Sequence, residues 1–343
     1  MGKYISTDQN INPPSNSATA ITAQESGVFP RECYNPAVTP KRPKVDPIRN
    51  PTLFDMNKLE DVGRIANSLH VERPYYEPGL LLGTSAFTAA GWEGSFYPVG
   101  MKPRDCLSYY SRQFATVEID STYYGTPSTS TVTGWYEKTP PDFVFAAKVP
   151  SVVTHEKMLL DCEAEFDGFI DRMGLLHEKL GPLLLQFPRF SKYEIQADEF
   201  SRRLRFFLER IKNCPTCRFV VEIRNRAWLD KRFTDLLREY NVALALTDTS
   251  FMPRPWEMKE NFDLVTTDFL YVRWLGDRHG IEKITRVWDR TVVDRTDELR
   301  NWVQIFKTTI ANKKILKVFA FSNNHYGGNG PGTVKLFWNL WRK

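Results

Sequence analysis

Phe219–Trp228 reads FVVEIRNRAW. Phe219, Val220, Val221 and Ile223 form a short apolar, β-prone run broken only by Glu222. Arg224, Asn225, Arg226 and Trp228 follow it. A run of this length and composition reads as a strand covered on both faces. A carboxylate inside such a strand, two residues ahead of an arginine, is costly to bury without partners. The pair is therefore either a structural clamp at a strand end or part of a site.

Seven further segments of the same texture recur on either side: Leu80–Gly83, Thr116–Ile119, Phe143–Lys148, Leu183–Phe187, Val242–Thr247, Phe269–Trp274 and Leu316–Phe321. Helical spacing lies between many of them, at Arg104–Phe114, Glu163–Leu180, Ile195–Lys212, Phe233–Tyr240, Thr296–Thr309 and, last, Thr333–Trp341. Alternating β and α units imply parallel strands. Eight strands over this length fit an α/β fold of the TIM-type (β/α)8 barrel class better than an open sheet. A doubly wound sheet is the second option. It wants a glycine-rich turn after the first strand, and Gly83–Phe87, GTSAF, is not the dinucleotide fingerprint.

The chain ahead of the barrel has a different texture. Residues 1–52 are rich in Pro, Ser, Thr and Asn and lack apolar periodicity, so residues 1–77 are expected to be an N-terminal tail, mostly disordered. Within it, Met56, Leu59, Val62, Ile65 and Leu69 sit at helical spacing and predict a short helix near 56–69. Residues 78–343 are the expected barrel.

Charge and cysteine usage bound the function. Net charge is +5. Residues 1–78 carry nine Lys/Arg and nine Asp/Glu, so the excess belongs to the barrel. That balance suits an anionic ligand and lacks the strong bias of a dedicated nucleic-acid binder. No run is long enough for a membrane span, and the first residues lack the apolar core of a secretory signal. Five cysteines do not make a disulfide framework. Cys214 and Cys217 form a lone CxxC without a second ligand pair, which reads as reduced thiols and a cytoplasmic location.

The series GTSAFTAAGWEGSFYP from Gly83, VEIDSTYYGTPS from Val117, GWYEKTPPDFVFAAKVP from Gly134, Thr154-His155, GPLLLQFP from Gly181, VEIRNRAW from Val221, YVRWLG from Tyr271 and SNNHYGG from Ser322 resembles the YecE-like family, domain of unknown function 72. The resemblance covers about residues 80–343. It implies a TIM-type barrel and no settled activity. This chain has Asp120 where that family usually has Asn, Asn225 where His is common, and Ser322 before the Asn pair.

Functional groups of such barrels gather at the C-terminal ends of the strands. Here those ends carry Thr84 and Ser85, Glu118, Asp120 and Tyr123, Lys148, Gln186, Glu222 and Arg224, Asp248, Arg273, and Asn323 and Asn324, with Trp228 close by. Glu222, Lys148 and Glu118 are the candidate catalytic groups. Two carboxylates from different strands suit acid/base work, and a lysine at a strand end suits an anion or a Schiff base. Asp120, Tyr123, Gln186, Arg224, Trp228, Asp248, Arg273, Asn323, Asn324 and Gly330 are the candidate substrate-binding residues. The competing reading has the charged groups pairing with one another and merely fixing the barrel mouth.

The glycine-rich stretch after the eighth strand, with Gly330 and Pro331 opening a helix, reads either as an anion site on the amides of Gly330–Thr333 or as a flexible turn that merely joins strand to helix. Five histidines, of which only His155 and His325 follow strand ends, give little support to a histidine-built metal centre. No metal ligand is assigned and the cofactor is unknown, although carboxylates can hold a divalent metal. The expected function is a hydrolase or lyase acting on a small anionic or phosphate-bearing substrate, such as a sugar phosphate or nucleic-acid component. The alternative is a noncatalytic binding protein for an anionic metabolite or nucleic acid.

Overall fold

The computed structural model describes residues 73–343, apart from 213, 215, 216, 259–262, 313 and 314. The tail of residues 1–52 and the helix near 56–69 lie outside the described residues. The described part of the segment ahead of residue 78 packs on the barrel. Arg73 is buried, with its guanidinium bidentate on Asp142 at 2.6 and 2.8 Å and its Nε donating to the Ser111 carbonyl. Tyr75 stacks on Phe114.

Eight strands are all parallel to their neighbours: β1 (Leu80–Thr84), β2 (Thr116–Ile119), β3 (Val144–Lys148), β4 (Leu180–Gln186), β5 (Phe219–Glu222), β6 (Ala243–Thr249), β7 (Phe269–Gly276) and β8 (Lys317–Ser322). They hydrogen-bond in the order β1-β8-β7-β6-β5-β4-β3-β2. The helices between them are α1 (Cys106–Gln113), α2 (Thr129–Glu137), α3 (Glu163–Met173), α4 (Ala197–Ile211), α5 (Lys231–Glu239), α6 (Arg278–Glu282) and α7 (Thr296–Asn312). After β8 come α8 (Asn324–Gly327) and α9 (Gly330–Trp341). This is a (β/α)8 TIM-type barrel. Its two edge strands meet at a seam, where a Cβ on Gly83 would lie 2.2 Å from the Thr116 carbonyl oxygen. Only glycine permits that approach of β1 to β2.

The strands bury two apolar layers. One set of strand residues, such as Leu82, Val117, Leu185, Val221 and Val272, packs outward against the helices. The alternate set, Leu81, Ala146, Leu184, Val220, Ala245, Tyr271 and Phe319 among them, fills the barrel interior. The period of two then carries each inward row one step further, to Lys148, Gln186, Glu222, Thr247 and Arg273. The polar groups thus form a layer on top of an apolar plug.

Two elements differ from their sequence expectations. β4 starts at Leu180 rather than Leu183, and α3 ends at Met173. A 3-10 stretch, Gly174–Lys179, with His177 at a φ of 47°, turns the chain directly into the strand. Gly181 lets β4 approach Val144 and Phe145, and Pro182, which has no N–H, lies where the β3–β4 register shifts. The Cys214–Cys217 pair, expected as free thiols, is a disulfide. That removes the support the cysteines lent to a reducing compartment. No helix of the described residues is long and apolar enough to cross a membrane.

Candidate functional site

Arg273, on β7, is the centre of the polar layer. Its Nη1 donates to Glu222 Oε2 at 2.5 Å, and its Nε and Nη2 donate to Glu118 Oε1 at 3.0 and 2.7 Å. The second oxygen of Glu118 accepts from the Tyr271 hydroxyl at 2.6 Å. The second oxygen of Glu222 accepts from Gln186 Nε2 at 3.0 Å and from Arg224 Nε at 3.2 Å. Glu118, Glu222 and Arg273 are at most 1% exposed. One guanidinium thus joins β2, β5 and β7 across the barrel.

The two glutamates ionise differently. Burial raises Glu118 above the usual carboxylate range, although Arg273 pulls the other way. Burial acts on Glu222 in the same sense, but Arg273, Arg224 and Gln186 outweigh it and bring its pKa down to about 2. Arg273 is held well above its ordinary value: burial opposes its charge, and Glu118 and Glu222 more than offset that.

Above this floor lies an open cleft of about 430 Å³. Asp120, Lys148, Arg224, Phe251, Asn323 and His325 line it, and Asp277, Arg278 and His279 belong to its rim. Lys148 Nζ lies 2.9 Å from Asp120 Oδ1, an ion pair in distance whose angles fall outside hydrogen-bond geometry. The same ammonium lies 5.7 Å from the centre of the Tyr123 ring. Arg224 is bound only through Nε. Its terminal nitrogens make no hydrogen bond among the described residues, and its guanidinium lies 5.9 Å from the Phe251 ring. His325 is tied down, with Nδ1 at 2.5 Å from Asn323 Oδ1 and Nε2 at 3.1 Å from Glu282. Burial, then Arg278, holds its pKa below the ordinary value.

The polar layer and cleft bring together Glu118, Asp120, Tyr123, Lys148, Gln186, Glu222, Arg224, Arg273 and Asn323. Three of them are sealed by protein partners. Glu118 and Glu222, read as catalytic, have every oxygen occupied by protein donors and no open face. They hold Arg273 in place. Gln186, read as substrate-binding, is buried and serves Glu222.

Four other residues stand away from the cleft. Asp248 points outward, one residue out of phase with Thr247, and accepts from Trp302 Nε1, the Tyr326 hydroxyl and Arg254 Nε at 2.8, 2.8 and 2.6 Å. Trp228 stacks on Phe190 and Phe200 of the outer layer. Asn324 Oδ1 accepts from Trp92 Nε1 and from the Gly330 amide. Gly330 is buried there, and Asn329 caps α9 by accepting from the Gly332 amide. The amides at the start of α9, expected to hold an anion, are thus occupied by Asn324 and Asn329.

Tyr271 was missed from sequence. It precedes Arg273 by two residues on one strand, so the period of two placed both on one face. Arg278 and His279 open the short helix α6 after β7, and Phe251 lies in the loop after β6; none of them carried a periodic signal. Among the described residues, no group of three or more His, Cys, Asp or Glu side chains is placed to hold a metal.

A parallel eight-stranded barrel with its polar layer and cleft at the C-terminal strand ends has the anatomy of a TIM-barrel ligand site. The chain belongs to the family described as protein of unknown function DUF72, whose model matches residues 81–343. It is similar to the UPF0759 protein YecE of Escherichia coli K12, at 35% identity over 92 residues, 26% of this chain and 34% of YecE. It is also similar to the UPF0759 protein YunF of Bacillus subtilis 168, at 28% identity over 151 residues, 42% of this chain and 51% of YunF. The matched segments thus span a third to a half of those relatives. Among solved structures, a DUF72 family protein from Thermotoga maritima superposes with a TM-score of 0.59 at 25% identity, covering 77% of this chain and 99% of that one. One from Enterococcus faecalis gives 0.56 at 21% identity, covering 78% and 99%.

Proposed function

We propose that the cleft binds a small anionic or phosphate-bearing substrate, such as a sugar phosphate or nucleic-acid component, and that the protein is a hydrolase or lyase acting on it. The observation that carries this reading is which charges are sealed and which are open. Three cations, Lys148, Arg224 and Arg273, meet three carboxylates, Glu118, Asp120 and Glu222. Glu118 and Glu222 are buried under Arg273, whereas Lys148 and Arg224 reach the cleft. A ligand therefore meets two cations, one of them paired with Asp120, backed by a rigid floor in which Arg273 and both glutamates are fully bonded. A fixed field of this kind needs no reorganisation when charge develops on a bound group. Lys148 is the group placed to give a proton to a leaving oxygen, with Asp120 beside it to steady the ammonium.

The sealing of both glutamates also favours a second reading, a noncatalytic binding protein for an anionic metabolite or nucleic acid. Sulfate and phosphate titrations read by calorimetry test the anion site, with Lys148→Ala and Arg224→Ala as variants. Each variant is expected to weaken binding about tenfold, the equivalent of roughly 1.4 kcal/mol. Unchanged affinity in both would overturn the anion reading. A panel of phosphate esters run beside thermal shift separates the two functions, because a shift without turnover supports binding alone.

A further inference from the structure

We propose that His155, which stands behind the anion site across the Tyr123 ring from Lys148, couples anion binding to pH through protonation of its imidazole. The proposal rests on the reading of Lys148 and Arg224 as anion anchors.

His155 lies in the loop after β3, in a single π-helical turn, Val152–Glu156. Such turns are rare and recur at functional sites. The chain leaves it through Met158, Leu159 and Asp161, all at left-handed φ values of 47°, 67° and 48°. Non-glycine residues in that region are strained and persist only where their surroundings hold them. Here the Leu159 amide donates to the Val153 carbonyl, and Lys157 Nζ donates to the Asp161 carbonyl and to Glu165. The loop is thus braced around one histidine.

The ring has one partner and one open nitrogen. Nδ1 lies 2.8 Å from the hydroxyl of Thr154, which is fully buried. Nε2 makes no hydrogen bond among the described residues, and the side chain is half-buried. The imidazole meets the Tyr123 ring edge-on, with 5.0 Å between centres. Lys148 Nζ sits against that same tyrosine. One aromatic ring therefore joins the histidine to the first anion anchor.

The charged groups acting on the imidazole are Lys148 from β3, Arg224 beyond β5, Glu222 from β5 and Glu156 from its own turn. Burial first, then Arg224 and Lys148, hold His155 below its ordinary value against the weaker pull of Glu156 and Glu222. These effects together favour the neutral ring. An anion held by Lys148 and Arg224 offsets the two cations that oppose protonation, so the ring takes a proton more readily. By linkage the protonated form then binds more tightly, and affinity falls as pH rises.

Sulfate is the probe, because its charge does not change across the range used. The full chain is titrated from about pH 5.5 to about pH 8, with side-chain NMR of His155 and calorimetry. Saturating sulfate is expected to raise the His155 pKa by about one unit, and affinity to fall about tenfold across the range. His155→Gln is expected to lose the pH slope and keep the weaker, high-pH affinity. His325→Gln, at the histidine already tied to Asn323 and Glu282, is expected to keep the slope. If sulfate binding depends on Lys148 yet the His155 pKa does not move, or the slope goes with His325 instead, the proposal is overturned and the anion site stands. If sulfate does not bind at any pH, both fail.

Discussion

Replacing Arg273 with methionine tests the central network most directly. The substitution keeps length and apolar stem but removes the charge that two buried glutamates share. Taking one partner from a buried ion pair costs about 3–5 kcal/mol. Here two carboxylates lose that partner, but Glu118 keeps Tyr271, and Glu222 keeps Gln186 and Arg224. A loss of about 4 kcal/mol near pH 8 follows.

The pH dependence supplies the sharper check. In the wild type, Glu222 has its pKa lowered from 4.5 to about 2. Its contribution is present above the unfolded value and is lost as pH falls through the folded one. In Arg273→Met Glu222 moves the other way, and Glu118, already raised by burial in the wild type, rises further. A raised carboxyl costs stability above its folded pKa and nothing below its unfolded one. The deficit of the variant therefore shrinks on going from about pH 8 to about pH 5, where Glu222 in the wild type has lost little. Urea unfolding followed by tryptophan fluorescence at both pH values measures the difference, and carboxylates elsewhere cancel in it. A deficit under about 1 kcal/mol at high pH, or one that does not shrink on acidification, would refute the shared-arginine account.

Asp248→Ala strips a buried acceptor from Trp302, Tyr326 and Arg254, so about 3 kcal/mol of stability should go while sulfate affinity holds; a loss of affinity at unchanged stability would place Asp248 in the site after all. Gly276→Ala sets a Cβ 2.4 Å from the His325 carbonyl oxygen at a φ of +72°. It should cost at least about 2 kcal/mol in urea unfolding and disturb the Asn323–His325 wall, and a neutral result would show that this loop relaxes freely. Deleting residues 1–52, on composition alone, is expected to leave the thermal midpoint within about 2 °C, and a larger drop would show that the tail packs on the barrel.

The strands were legible in the sequence because each is a short β-prone run next to a turn. Their phase was not, and phase decides the site. Lys148, Glu222 and Arg273 are charged groups in or at the ends of apolar strands, and all three fall on the inward row. Asp248, the acidic group at the end of the sixth strand, falls outward, since shifting a strand by one residue exchanges its faces. The helix Thr129–Glu137 also escaped notice. Its sequence, TSTVTGWYE, is rich in β-branched residues and contains Gly134, so propensity argues against it. Ser128 starts it by accepting from the Thr131 amide, and Val132 and Trp135 bury its inner face. The glycine-rich turn at Gly327–Gly332 had two chemistries open to it. Asn324 and Asn329 decided between them by occupying the amides from within, a tertiary contact that spacing does not reveal.

The seam has a consequence for how the chain is made. β1 forms its ladder with β8 alone, and β8 is the last strand to be synthesised. At about 5–20 residues per second, roughly 10–50 s pass between the emergence of Leu80 and that of Ser322. For that interval the first strand has no backbone partner, and its unpaired edge is open to any other extended chain nearby. A messenger truncated before β8 would yield a seven-stranded product whose opening strand never closes, which makes a late stop codon a more damaging lesion here than the lost length alone implies.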